Sequence, residues 1–309
     1  MSVSARAEEF QELRPLLFSI SYRILGSVTE AEDTVQDTWL RYMASDTVPN
    51  STKAFLSALV TRASIDVLRS ARVRREEYVG PWFPEPLLSD PYEDPERSAE
   101  LADSVSMAAL LLLERLSPLE RAVFVLREVF GFGFPDVAHA VGRSEAACRQ
   151  LAVRARRHMD LGRPRFEADQ KEREELAARF FSALRDGDVT ALRDMLAADV
   201  QMVGDSGGKA PAFARGVVGD DNVARVLASI FPNLKRIARV EPHAVNNQPG
   251  AVLSDLDGNV VATMILDVLD GRIQMIRTVA NPDKLAHLGP LADPWAMAEE
   301  LKKTRRRDR

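Results

Sequence analysis

Residues 135–160, PDVAHAVGRSEAACRQLAVRARRHMD, decide how this chain is read. Val137, Ala138 and Val141 recur at the spacing of one short helical face. Gly142 permits a tight turn, and Ser144 is placed to cap a second helix. That second helix packs through Cys148, Leu151, Ala155 and Met159 and leaves Arg149, Gln150, Val153, Arg154, Arg156 and Arg157 outside. A helix-turn-helix needs this arrangement: small polar residues near the start of its second helix for base edges, with arginines on either side for phosphates. The competing reading is a solvated hairpin whose arginines serve solubility. Turn, cap and charge agree on DNA, and the spacing makes Cys148 a core residue.

Outward from that segment, the 309-residue chain is 46% hydrophobic and 28% charged, the balance of a globular protein with room for two or three domains. No window approaches eighteen uncharged apolar residues, which argues against a membrane span. Met1 to Glu12 lacks the basic-then-apolar order of a signal peptide, so the expected compartment is the cytoplasm. One cysteine cannot form an internal disulfide, and four histidines argue against a structural zinc site; neither metal nor cofactor is expected. The net charge of −5 alone speaks against nucleic acid, but the charge is segregated. Lys53 to Arg75 holds six basic residues and one acid, and Arg143 to Arg165 holds seven arginines and two acids. Glu85 to Asp103 reverses this, with seven acids and one arginine. Such blocks predict basic functional surfaces separated by an acidic connector.

Residues 8–78 read as three helices. Phe10, Leu13, Leu16, Leu17, Ile20, Ile24 and Leu25 give the first its apolar face. Gly26-Ser27 ends it, and Thr29 is the expected cap of a second helix from Glu30 to about Ser45. The third runs from Lys53 to about Glu77 on Phe55, Leu59, Ala63, Val67 and Ala71. Five prolines between Gly80 and Pro95 make a linker. Helical periodicity resumes from Ala99 to about Val129, and Gly162-Arg163-Pro164 closes this section. From Lys171 two helices (Glu174 to about Arg185, then Thr190–Ala197) precede strands at Val200–Val203, Arg239–Val245, Ala251–Leu256, Val260–Leu269 and Arg272–Val279. Asp257-Gly258-Asn259 and Asp270-Gly271 suit hairpin turns. That order predicts an α+β domain in which an antiparallel sheet wraps helices. The basic tail Lys302–Arg309 is expected to be disordered, adding weak nonspecific affinity for DNA.

In the third helix, Arg62, Arg69, Arg72, Arg74 and Arg75 suit a phosphate backbone, and Phe55 and Tyr78 suit stacking on unpaired bases. The alternative is an arginine-rich bundle helix with Asp66 paired to Arg62 or Arg69. The acidic run Glu30–Asp37 fits a basic partner or is a solvated face. Together, AEDTVQDTWLRY (Ala31–Tyr42), the Arg62…Asp66…Leu68-Arg69 helix, and LERLSPLERAVFVLREVFGFGFPDVAHAVGRSEAACRQLAVRARR (Leu113–Arg157) resemble the two domains of a sigma-70-type sigma factor. The short spacer resembles the extracytoplasmic-function, or group IV, type. The resemblance covers about half the chain. It implies an initiation factor that binds core RNA polymerase, at its clamp helices and flap, and directs it to promoter DNA. By the same resemblance, Asp33, Gln36, Asp37 and Leu40 dock on the clamp helices, while Lys53, Arg62, Arg69, Arg72, Arg74 and Arg75 melt and read the −10 region. Arg143, Ser144, Glu145, Arg149, Gln150, Arg154 and Arg157 read the −35 element. Many relatives carry asparagine where this chain has Arg62, which leaves the reader of the flipped base open, with the Thr47–Lys53 loop as the other place for it. Duplex DNA is read from the major groove by a helix, whereas an opened strand is held by base capture and a basic surface.

Lys171 to about Leu285 resembles a SnoaL-like domain, the cone-shaped α+β fold also found in polyketide cyclases and ketosteroid isomerases. Three motifs are similar to those of group IV factors fused to such a domain. They are Trp82-Phe83-Pro84-Glu85-Pro86, Asp205-Ser206-Gly207-Gly208-Lys209 and Asn281-Pro282-Asp283-Lys284-Leu285. Relatives often have Leu in place of Phe83 and Gly in place of Ser206. The resemblance implies regulation in cis, replacing a separate anti-sigma protein. For Trp82 the alternatives are an interdomain anchor or a solvated linker; for Asn281-Pro282 a helix cap is compatible with a contact. An enzymatic reading makes Asp205, His243 or Asp255 a general base, and the fold offers a cavity for an unknown small ligand. Against catalysis, Asp205 before Ser-Gly-Gly resembles a flexible loop, and a lone histidine in a strand is more often structural.

The expected organisation is multidomain: an all-α sigma region 2 (1–78), an acidic Pro-rich linker (79–104), an all-α sigma region 4 (105–165), a SnoaL-like α+β domain (171–288) and an extension (289–309). Two other functions compete: a ligand-responsive one-component helix-turn-helix regulator, and an enzyme fused to a DNA-binding module. The acidic Asp33–Asp37 helix favours the sigma reading, because a repressor has no use for a polymerase-docking surface.

Overall fold

Hydroxyl caps and glycines set the helix boundaries of the first half. The computed structural model describes residues 3–160, 170–211 and 216–307, without the side chains of 71–76, 99, 170 and 305–307. The expectations for Gly162-Arg163-Pro164 and for the side chains of Ala71, Arg72, Arg74 and Arg75 lie outside the described residues. The chain divides into two compact units: Met1–Glu77 with Asp90–Arg163, and Tyr78–Ser89 with Pro164–Arg309.

The first unit opens with α1 (Val3–Leu25), α2 (Val28–Ala44) and α3 (Thr52–Glu76), which pack on one another. Ser27, rather than Thr29, caps α2. Its hydroxyl accepts the Glu30 N–H at 3.1 Å, while Gly26 turns the chain at φ 70°. Among the described residues of the expected apolar side of α3 only Ala63 is buried, with Phe55, Leu59 and Val67 half-buried; the buried side takes in Leu56, Ala58, Val60, Ala63, Ile65 and Leu68. The reason is that α3 packs on α1 and α2 and also on α6 and α7 below. Arg62, Asp66 and Arg69 stay exposed at helical spacing.

The helical periodicity expected over Ala99–Val129 is carried by α4 (Ser98–Val105), α5 (Met107–Leu113) and α6 (Pro118–Phe124), with a π turn at Val125–Val129. Ser106 caps α5, and Ser117 forms a capping box with Glu120 ahead of α6, where Pro118 suits the first turn. Then come α7 (Phe134–Val141) and α8 (Glu145–Asp160). Gly142 between them is left-handed at φ 64°. The Ser144 hydroxyl accepts the Ala147 N–H at 3.2 Å, and Cys148, Leu151, Ala155 and Met159 are buried as their spacing required. A buried arginine ties the unit together. Arg23, fully enclosed, donates to Asp90 (2.7 Å), Ser104 Oγ (2.7 Å) and Leu101 O (2.9 Å), and its own carbonyl accepts from Arg121 at 2.9 Å. The Asp90 carboxylate and these acceptors offset the desolvation of the guanidinium.

The second unit is α+β: α9 (Gln170–Asp186), α10 (Val189–Met195), β1 (Leu196–Asp205), β2 (Val217–Val218), α11 (Asp220–Leu234), β3 (Ala238–Val245), β4 (Gln248–Asp255), β5 (Val260–Leu269), β6 (Arg272–Val279) and α12 (Pro294–Arg307). The sheet order is β2-β1-β6-β5-β4-β3, and β1 runs parallel to β6. The sheet is therefore mixed rather than a plain meander. Phe180, Phe181, Leu184 and Leu192 from α9 and α10 share a core with Val223, Leu227 and Phe231 from α11 and Met264, Leu266 and Ile276 from the sheet. Asn246 and Asn247, at φ 53° and 54°, turn β3 into β4. The basic tail is not disordered through its length: Lys302–Arg307 continue α12, whose start is capped by Asp293 accepting the Trp295 and Ala296 N–H groups at 2.8 and 3.1 Å. Among the described residues no helix is long and apolar enough to cross a membrane, and no His, Cys, Asp and Glu cluster is placed to hold a metal.

Candidate nucleic-acid interface and linker clasp

On α2, Asp33, Gln36, Asp37 and Leu40 fall at i, i+3, i+4 and i+7, and all four are exposed, Leu40 at 58%. They form one open stripe of acid, amide and apolar character. On α3, Lys53, Arg62 and Arg69 are exposed. Arg69 pairs with Asp66 at 3.2 Å, Lys53 Nζ lies 5.8 Å from the Phe132 ring centre, and Arg62 reaches the carbonyls of His139 and Ala140. Phe55 and Tyr78 are not free to stack on bases: Phe55 lies 6.1 Å from the Tyr42 ring, and the Tyr78 hydroxyl is committed to Asp205.

On α8 and its turn, Arg143, Ser144, Arg149, Gln150, Arg154 and Arg157 are exposed and Glu145 is half-buried. Arg154 Nε lies 3.3 Å from Glu120. Burial raises the pKa of Glu120, but the hydrogen bonds from Ser117 and the charge of Arg154 outweigh it and leave the carboxyl below its usual range. Arg149 is held from two directions, by Glu145 at 2.7 Å and by the Phe134 ring at 5.0 Å. Arg127 covers the same ring at 4.9 Å. Phe134→Leu should therefore keep an apolar side chain but lose the cation–π contacts and about 0.5–1 kcal/mol of stability, and Phe134→Tyr should keep both. Equal losses in the two variants, measured by chemical denaturation of the full chain, would show that the ring holds neither arginine.

The three motifs meet in the second unit. Asp205 ends β1 fully buried, and its carboxylate accepts from Lys284 Nζ (2.6 Å), the Phe83 N–H (2.7 Å) and the Tyr78 hydroxyl. It is thus a fixed acceptor, not part of a flexible loop. Lys284 also donates to the Phe83 carbonyl, and its Nζ lies 4.3 Å from the Trp82 ring centre and 4.6 Å from that of Tyr78. A buried carboxylate is stable here because an ammonium and two more donors replace its water. Burial first, then the hydrogen bond to Asp205 and its charge, raise the Tyr78 pKa far above the ordinary phenol. Gly207, at φ 55°, has no alternative: a Cβ would stand 2.5 Å from Asn281 Nδ2 and 2.8 Å from the Tyr78 oxygen. Gly208, also left-handed, lies against Val79.

Asn281 does both things expected of it. Its Oδ1 accepts the Asp283 N–H at 3.1 Å ahead of Pro282, and its Nδ2 donates to the Tyr78 oxygen at 2.8 Å. Lys209 pairs with Asp283 at the surface, and Leu285 is buried. From Phe83 through Pro84, Glu85 and Pro86 to Leu87 the linker is buried. His287 Nε2 contacts the Pro86 carbonyl at 2.7 Å. The Leu87 N–H donates to Asn246 Oδ1 at 3.1 Å, while the Asn246 N–H returns to the Leu87 carbonyl at 2.7 Å. Sequence reasoning missed Tyr78, Leu87, Asn246 and His287 as members of this clasp. Asn246-Asn247 is a visible turn signal, but nothing local marks it as a docking point. The other two candidate bases are also placed. Asp255 accepts from Asn259 and the Asp257 N–H in a turn, and His243 is exposed on the edge strand β3, beside a cleft of about 390 Å³ that Phe181 and Arg185 also line.

An exposed acidic stripe, a basic helix and a helix-turn-helix with arginines on its outer face make the first unit a two-part helical assembly of the helix-turn-helix class. Sigma-70 region 2 matches residues 10–74, and sigma-70 region 4 matches residues 106–159. The chain belongs to the extracytoplasmic-function RNA polymerase sigma factors. It is 38% identical over 288 residues to the ECF RNA polymerase sigma factor SigJ of Mycobacterium tuberculosis, covering 89% of this chain and 92% of that one. It is 29% identical over 275 residues to the probable ECF sigma factor SigI of the same species, covering 88% and 92%. The crystal structure of SigJ matches with a TM-score of 0.71 at 35% identity, over 93% of this chain and all of that chain.

Proposed function

We propose that this sigma factor, working in the cytoplasm with core RNA polymerase at promoters, is restrained in cis by its C-terminal α+β unit through the linker clasp. In this reading the Asp33–Leu40 stripe docks on the clamp helices and region 4 meets the flap. Lys53, Arg62 and Arg69 serve the opened −10 strand, and Arg143 through Arg157 serve the −35 duplex.

The observation that carries the reading is the burial of Phe83–Leu87 around Asp205, Lys284 and Asn246. Tyr78–Ser89 lies within the chain that joins region 2, matched to residue 74, to region 4, matched from residue 106. Extended, twelve residues span about 40 Å. The −35 and −10 elements stand roughly 25 base pairs apart, about 85 Å at 3.4 Å per pair. Docking those residues withdraws reach that simultaneous engagement needs. Asp205 and Asp255 already hold structural partners, which favours a regulatory unit over an enzyme, and the cleft beside His243 is the seat we assign to a small-molecule signal.

The test is promoter-specific run-off transcription with core polymerase, comparing the full chain with Lys284→Met. Loss of the ammonium should free the linker to protease and raise initiation several-fold. A freed linker with unchanged initiation would sink regulation in cis, and no initiation by either chain on a genomic template pool would favour the ligand-responsive regulator.

A further inference from the structure

We infer that α7, the first helix of the helix-turn-helix, is a competitor of promoter DNA for α3, with Arg62 as the latch between them. Arg62 Nε donates to the Ala140 carbonyl at 3.0 Å, and its Nη2 donates to the His139 carbonyl. Both acceptors lie in the last turn of α7, where helix carbonyls have no partner within the helix and carry the negative end of its dipole. The amides that follow do not serve them: Gly142 N–H and Arg143 N–H both return to the Ala138 carbonyl. One guanidinium thus supplies two donors and a positive charge where α7 needs them.

A second contact lies at the start of the same helix. Lys53 Nζ is 5.8 Å from the ring of Phe132, in the loop that leads into α7, and α3 packs directly on α7 and α6. Of the three described cations on α3 that suit the −10 strand, Arg69 is paired within the helix to Asp66, while Arg62 and Lys53 are both turned to region 4. A phosphate or a flipped base needs the same N–H groups that the α7 carbonyls occupy. Binding of α7 and of opened DNA to Arg62 is therefore mutually exclusive, and the closed pair must part before the −10 strand is held. The inference rests on reading α3 as the −10 element.

The experiment uses the full chain with Cys148→Ala and spin labels at Ser70→Cys on α3 and Asp136→Cys on α7, both exposed positions. Inter-label distances are measured in the free chain, with core RNA polymerase, and in each state with Arg62→Ala or Arg62→Lys. The free chain should give one narrow distribution, and core polymerase should shift it to longer distances. Arg62→Ala should broaden and lengthen it without polymerase, with Arg62→Lys between, since an ammonium keeps the charge but not the paired donors. An unchanged distribution in Arg62→Ala, or none of the shift with polymerase, overturns the latch. Run-off transcription separates the two readings. Opening with transcription at the parent level keeps the latch and removes Arg62 from −10 recognition; unchanged distances with lost transcription do the reverse.

Discussion

Asp205→Ala is expected to cost the C-terminal unit about 3–5 kcal/mol and to open residues 78–89 to protease. The deletion removes the carboxylate that Lys284, itself 7% exposed, pairs with at 2.6 Å, and losing one member is what makes a broken buried pair expensive. It also leaves the Phe83 N–H and the Tyr78 hydroxyl without their acceptor. Such groups cost roughly 1–3 kcal/mol each when buried and unpaired, so the upper part of the range is the expected one. The double variant Asp205→Ala with Lys284→Met should regain part of the loss, because the ammonium goes together with the carboxylate. Chemical denaturation of the full chain and cleavage within Tyr78–Ser89 read the two effects. A single-variant loss below about 1 kcal/mol with the linker still protected would show that the carboxylate is not what holds the clasp.

The helix-turn-helix was legible because everything that makes it is local. The Val137–Val141 face, the left-handed Gly142 and the Ser144 cap fall within a dozen residues, and the fold only had to accept them. Asp33, Gln36, Asp37 and Leu40, singled out through the family resemblance, do share one exposed face of α2, as their local spacing requires. Where tertiary packing decides, the sequence said less. Apolar residues run on both sides of Ser106 and Ser117, so their period looks continuous although two hydroxyls cap new helices there. α11 escaped notice with Pro232 inside its last turns, and a two-residue β2 has no alternation to read. The clasp shows the limit most clearly. Its motifs stand out as strings, yet Tyr78 and Asp205 meet across 127 residues. Ser206-Gly207-Gly208 suggested looseness, whereas Gly207 is glycine because Asn281 and Tyr78 leave no room for a Cβ.

Reversing the two acids of the α2 stripe, Asp33→Lys with Asp37→Lys, is expected to weaken core polymerase binding at least ~100-fold while leaving the fold intact. Both side chains are exposed, and substitutions at such positions change stability by no more than about 0.5 kcal/mol each. Against a basic partner surface, two attractions become two like-charge contacts, and like-charge juxtaposition costs several kcal/mol; about 2.7 kcal/mol already amounts to 100-fold. Because the stripe is open to solvent, the deficit should narrow as salt rises and the screening length falls below about 10 Å. Fluorescence anisotropy with labelled chain and core enzyme gives the affinity, and run-off transcription should fall with it. Duplex DNA binding by α8 should be untouched, since neither acid belongs to that helix, which separates lost docking from lost recognition. Near-parent affinity for core enzyme would mean that polymerase meets another face and that the acids of α2 serve only as a solvated surface.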